Sequence, residues 1–179
     1  MPSTIAGVES EIRSVTQDEI ELVCEVHREA FDGREEEPRL VQLLHAAGKT
    51  PISLAAHFEG TIVGHVLSSP MILDPPKPCL GIVGLAPVGV LPEDQGRGIG
   101  SRLIREGLLA CGEAGYRAAV VLGEPDYYGR FGFERASERG IGNEYGVDEP
   151  FMVVELKKGA MDEVSVAVKY QPELRWCGL

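Results

Sequence analysis

The chain has 179 residues, 44% hydrophobic and 25% charged, the composition of one soluble globular domain. Its net charge of −11 speaks against a nucleic-acid binder, which needs a basic face, and suits a cationic or amine-bearing partner. Cys24, Cys79, Cys111 and Cys177 stand far apart without a Cys-x-x-Cys pair, and no apolar run approaches the ~20 residues of a membrane span. A disulfide framework and a membrane protein are therefore not expected, and a cytoplasmic location is.

Residues 1–10 are small and polar and are expected to be a flexible N-terminus. Glu11 to Val15 alternates as a strand. Thr16 and Glu19 then form a capping box for a helix whose inner side carries Ile20, Val23, Val26, His27, Ala30 and Phe31. Arg34 to Pro38 reads as a charged connection, and Leu40, Val41, Leu43, Leu44 and Ala47 as a second helix closed by Gly48. Ile52–Phe58 and Thr61–Leu67 are strands joined at Glu59-Gly60, the spacing of a tight hairpin. Asp74 to Pro78 is a proline-rich loop before the apolar run Leu80 to Leu91, a buried central strand.

A glycine-rich turn, Gln95-Gly96-Arg97-Gly98-Ile99-Gly100, follows that strand. Glycines at alternate positions let backbone N–H groups converge, and the helix that begins there adds unpaired donors and a positive dipole end. With the charge of Arg97, a phosphate or pyrophosphate is the expected occupant. Ile99, Leu103, Ile104, Leu108 and Cys111 form the helix's apolar face, and Gly115 ends it. Pro87, which cannot donate to a ladder, with Gly84 and Gly89, predicts a bulge or a splayed strand pair where a ligand reaches the backbone.

Ala118 to Leu122 is then a short strand, parallel to the central one through a right-handed crossover. Pro125 opens a short helix holding Tyr127, read as core, and Tyr128; Phe151 to Leu156 is a late strand. The Walker phosphate motif fails, because Gly100 is followed by Ser101-Arg102. The dinucleotide fingerprint also fails, because Ser101 occupies its third-glycine position. His27, His57 and His65 are read as structural, without metal-ligand spacing.

The stretch instead resembles the acyl-CoA signature (Gln or Arg)-x-x-Gly-x-(Gly or Ala) of the GNAT superfamily of N-acetyltransferases, with Gln95, Gly98 and Gly100 at its defining positions. Tyr128-Gly129-Arg130-Phe131-Gly132-Phe133 is similar to that family's downstream Tyr-x-x-x-Gly-Phe. The wording around Val90-Leu91-Pro92, Gly123-Glu124-Pro125 and Phe131-Gly132-Phe133 resembles the YhbS-like branch.

The resemblance implies an α/β fold of order β-α-α-β-β-β-α-β-α-β with a splayed central sheet. It spans residues 11–157, leaving 158–179 as a C-terminal extension. Trp176 then either packs that tail onto the domain or seals a homodimer contact. The implied activity is transfer of acetyl from acetyl-CoA directly to a primary amine, without a metal. The implied contacts to acetyl-CoA are Val88, Gly89, Val90, Gln95, Gly96, Arg97, Gly98, Ile99, Gly100 and Ser101. The diphosphate would sit on the N–H groups of Gln95 to Gly100, and Tyr128 would be the general acid.

No acid stands between Ile82 and Val90, where many relatives carry a Glu, so the general base stays open among Glu36, Glu37, Glu124, Asp126, a water chain or an amine that arrives neutral. The family's Asn in the strand before the Tyr128 helix is replaced by Val121 or Leu122. A non-catalytic acyl-CoA-binding regulatory module is the alternative function, and a nucleotide-binding protein is disfavoured by the two failed motifs.

Overall fold

A computed structural model of the chain describes residues 10–175. Strand β1 (Glu11–Ser14) leads through a 3₁₀ turn at Gln17–Glu19 into helix α1 (Ile20–Ala30). The Thr16 N–H donates to Glu19 Oε2 at 2.9 Å, closing the reciprocal cap. A forked pair of bonds from Arg13, at 2.6 and 2.9 Å, and then that Thr16 amide, hold the Glu19 carboxyl down to about 2.

Helix α2 (Glu36–Ala46) begins inside the stretch read as a connection. Pro38 falls in its first turn, where N–H groups have no intrahelical partner, so the proline starts the helix instead of breaking it. Strands β2 (Ile52–Phe58) and β3 (Thr61–Pro70) form the expected hairpin. Glu59 and Gly60, at φ +49° and +83°, give it a turn whose twist matches that of the strands.

A short strand β4 (Ile72–Asp74) precedes the central strand β5 (Ile82–Val90). Helix α3 (Ile99–Glu113), β6 (Ala118–Leu122), the short helix α4 (Pro125–Tyr128), β7 (Glu134–Arg135), β8 (Ile141–Asn143) and β9 (Phe151–Glu155) follow, then β10 (Val166–Lys169) and α5 (Pro172–Arg175). The main sheet has the order β1-β2-β3-β5-β6-β9-β7. A second sheet, β4-β10-β8, uses strands of three and four residues that the sequence pattern does not reveal. The Trp176 alternatives lie outside the described residues. Within them, Lys49 Nζ meets Glu173 Oε1 at 2.8 Å and ties α5 to the loop after α2. No described helix is long and apolar enough to cross a membrane.

Two cores flank the main sheet. Val23, Leu40 and Leu44 of α1 and α2 pack with Leu67, Ile82 and Phe151 on one side. Leu103, Ile104 and Cys111 of α3 pack with Val66, Leu85 and Val121 on the other. Burying each large aliphatic side chain contributes about 1.5–3 kcal/mol.

The parallel pairing of β5 and β6 runs through Ile82–Ala118, Val83–Ala119 and Gly84–Val120 and goes no further, although β5 continues to Val90 and β6 to Leu122. The sheet is splayed, as expected. On its other edge β5 stays paired with β3, with a register slip between Val66 and Ser68 opposite the region of Pro87, which lacks a donor. Two β5 glycines also make room for packed side chains on one face of the strand. A Cβ at Gly84 would lie 2.8 Å from Met71 Sδ, and one at Gly89 would lie 2.7 Å from His27 Nδ1. Protein side chains fill the space that these glycines open.

Candidate active site

The turn after β5 closes in three steps. Pro92–Asp94 makes a 3₁₀ turn, Gly96 and Gly98 take left-handed φ values of +74° and +81°, and Gly98 caps α3. The helical ladder starts with the Arg102 N–H to the Gly98 carbonyl at 3.0 Å. The N–H groups of Ile99, Gly100 and Ser101 therefore sit in the first turn with no partner in their own helix. The Gln95 N–H differs from expectation, because it already bonds the Pro92 carbonyl at 3.4 Å. The Gln95 side chain instead donates to the Val90 carbonyl at 3.0 Å and staples the turn to the end of β5.

This turn walls a cleft of about 540 Å³. Nine of the ten residues expected to hold acetyl-CoA line it: Val88, Gly89 and Val90 from β5, Gln95, Gly96 and Gly98 from the turn, and Ile99, Gly100 and Ser101 from α3. Arg97 does not. Its guanidinium pairs with buried Asp94 at 2.7 Å and lies over the Phe58 ring, so its charge is spent on structure. The cation at the cleft is Arg130, with its Nε donating to the Tyr127 carbonyl at 3.2 Å and its guanidinium 4.5 Å from the centre of that ring. The spacing of Arg130 inside the Tyr128–Phe133 motif was the available signal for it.

Tyr127 is half-buried: it packs against the α3 side of the core, as expected, and also forms a wall of the same cleft. Its ring meets that of Tyr128 edge-on at 5.1 Å. Tyr128 also packs edge-on against Phe133 at 5.6 Å, and a Cβ at Gly123 would collide with its ring, which explains that glycine. Burial, and then Tyr127, push the Tyr128 phenol up to about 12.

A second cavity, about 530 Å³, lies in the splay itself, between Leu85–Val88 of β5 and Val121–Leu122 of β6. It shares Val88 and Tyr128 with the first cleft, so the two meet at that pair. Of the four acids considered as bases, Glu37 lines this cavity. Glu124 and Asp126 are exposed, and Glu36 faces a separate groove beside Arg39.

Behind Gly89 runs a buried polar chain. His27 Nε2 and His65 Nδ1 are 2.8 Å apart, and His65 Nε2 and Ser53 Oγ 2.9 Å. Ser53 Oγ in turn lies 3.2 Å from His45 Nε2. Burial alone drives His27 down to about 3, and burial followed by His27 and His45 takes His65 well below its ordinary value. Among the described residues no group of His, Cys, Asp and Glu could hold a metal ion.

Residues 11–136 match the family model of the acetyltransferase (GNAT) domain. The chain is also 35% identical over 145 residues to the uncharacterized N-acetyltransferase YhbS of Escherichia coli, covering 80% of this chain and 85% of that one. The chain belongs to the GNAT acetyltransferase family. Among solved GNAT structures, E. coli YhbS in complex with CoA superimposes with a TM-score of 0.88 at 30% identity, over 94% of this chain and 93% of that one. A GNAT acetyltransferase from Brucella melitensis in complex with acetyl-CoA gives a TM-score of 0.76 at 31% identity, covering 92% and 97%.

Proposed function

We propose that the protein transfers acetyl from acetyl-CoA to a primary amine within a ternary complex. The observation that carries this reading is the meeting of two cavities at Val88 and Tyr128, where β5 and β6 part. One cavity has the donors for a diphosphate and the other has room for an acceptor, so both substrates can reach one point. A non-catalytic acyl-CoA-binding module would have no use for the second cavity.

The diphosphate rests on the N–H groups of Gly96 to Ser101, assisted by Arg130. The pantetheine arm lies along Val88, Gly89 and Val90, on the β5 edge that β6 has left. The Val88 N–H polarises the thioester oxygen. The neutral amine attacks the carbonyl carbon, so the C–N bond forms and the C–S bond then breaks. Coenzyme A leaves as thiolate and takes the Tyr128 phenol proton; the proton lost by the new amide nitrogen restores the phenol. Burial weakens Tyr128 as an acid relative to a free phenol. A thiolate leaving into the same surroundings is disfavoured in its charged form, which favours its protonation by the phenol. The free thiols of Cys24, Cys79 and Cys111 support a reducing compartment such as the cytoplasm.

Calorimetry with acetyl-CoA, together with thiol release over an amine panel, tests the reading. Binding with turnover of at least one amine is expected. Binding without any turnover selects the regulatory module.

A further inference from the structure

The second cavity has a chemistry of its own. Its walls are apolar: Leu85 and Pro87 from β5, Leu40 from α2, Phe31 after α1, and Tyr170 and Leu174 from the C-terminal segment. The rim is apolar as well. Leu122, Tyr145 and Val147 are 48%, 40% and 37% exposed and make up half of the large hydrophobic side chains left exposed among the described residues, the others being Leu22, Ile72 and Leu109. Exposed apolar surface gathered around a concave mouth marks a ligand site.

One charged group interrupts this lining. Glu37 is 6% exposed, its Oε2 has no hydrogen-bond partner among the described residues, and its Oε1 stands 3.5 Å from Arg34 Nη2. A buried carboxyl oxygen without a protein partner costs stability unless water or a ligand satisfies it, and this one opens on a cavity. Among the described residues no second acid lines the cavity.

We propose, resting on the acetyltransferase reading, that the acceptor is a primary amine on an aromatic or branched aliphatic body, its ammonium first held by the Glu37 carboxylate, which takes one proton from it and passes that proton to solvent, leaving the neutral amine that attacks. The apolar body displaces water from the walls of the splay, and the single acid matches a single cation. Polyamines and aminoglycosides carry several cations and little apolar surface, so they match neither feature. The same chemistry occurs in free arylalkylamines and at peptide N-termini that begin with Phe or Leu.

The test measures acetyl-CoA-dependent thiol release with phenethylamine, leucinamide, a tripeptide beginning with Phe, spermidine and kanamycin, alongside acetyl-CoA affinity. The expected result is turnover of the apolar amines at lower KM than spermidine or kanamycin. Preference between phenethylamine and the tripeptide identifies the source. Glu37→Gln is expected to raise KM for the apolar amines about ten- to a hundredfold while acetyl-CoA affinity stays unchanged. Leu122→Ala, at an exposed position that leaves folding intact, is expected to raise KM for phenethylamine about three- to tenfold. Preference for spermidine or kanamycin, or an unchanged KM in both variants, overturns the inference and leaves the acetyltransferase reading standing. Acetyl-CoA binding without turnover of any amine overturns that reading, and this inference with it.

Discussion

His27 Nε2 and His65 Nδ1 lie 2.8 Å apart, and both rings are fully buried. A bond between two imidazoles needs one ring to donate and the other to accept, so at least one must be neutral. Burial takes both below their ordinary range, His27 to about 3.

The unfolded chain titrates these rings near ~6.5 and the folded chain does not, so below that pH the unfolded state binds more protons. Stability is full above about pH 6.5 and falls with pH, on the order of 1.4 kcal/mol per unit for His27 alone until its folded value is reached. Thermal melts between pH 7.5 and 5 are expected to show this fall. The double variant His27→Leu/His65→Leu, which removes both partners together, is expected to flatten it.

The same ring backs onto Gly89. A Cβ there would stand 2.7 Å from His27 Nδ1, in a place where the buried ring cannot retreat. Gly89→Ala is therefore expected to cost about 1–3 kcal/mol in urea unfolding. Gly100→Ala, whose Cβ would meet Tyr127 Oη at 3.4 Å and Val90 at 3.5 Å, is expected to fold normally but to weaken acetyl-CoA binding in calorimetry.

Removing the Tyr128 hydroxyl separates chemistry from binding. Tyr128→Phe keeps the ring that packs on Tyr127 and Phe133. Turnover is expected to fall about 10²- to 10⁴-fold with the acetyl-CoA dissociation constant nearly unchanged. Because burial pushes the phenol up to about 12, loss of its proton is not expected to limit the wild-type rate at pH 9. Rates from stopped thiol-release assays check both statements.

Two arginines near the cleft are expected to part company. Arg130 lines it, and Arg130→Ala is expected to weaken acetyl-CoA binding about tenfold, with a shallower salt dependence. Arg97 is paired with buried Asp94. Arg97→Ala is expected to lower the melting temperature and to leave the dissociation constant within about twofold.

The legible parts of the chain are those whose signal is local. The glycine turn, the amphipathic α3 helix, the Glu59-Gly60 hairpin and the Thr16–Glu19 cap each occupy a few adjacent residues, and each forms, the Gln95 amide and the Arg97 side chain being the parts of the turn that depart from expectation. The small sheet was not legible. β4, β8 and β10 are too short to show a period, and β10 meets its partners from far along the chain. Side-chain direction was also hidden. Arg97 and Arg130 both sit in glycine-rich motifs; Arg97 turns to Asp94 three residues back and lies over the Phe58 ring of β2, whereas Arg130 lines the cleft. Glu37 was one of four comparable acids until burial set it apart.

Only three rungs join β5 to β6. Beyond Gly84, the β5 amides that would face β6 have no strand across from them and are expected to exchange their hydrogens with water more readily than their neighbours facing β3. A thioester arm laid along that border would act as a replacement strand, slowing exchange at Val88 and Val90 and raising resistance to heat as its concentration rises past the dissociation constant. The acyl donor would then complete the one border where the strands part, and the enzyme would be sturdiest in cells that hold it in abundance.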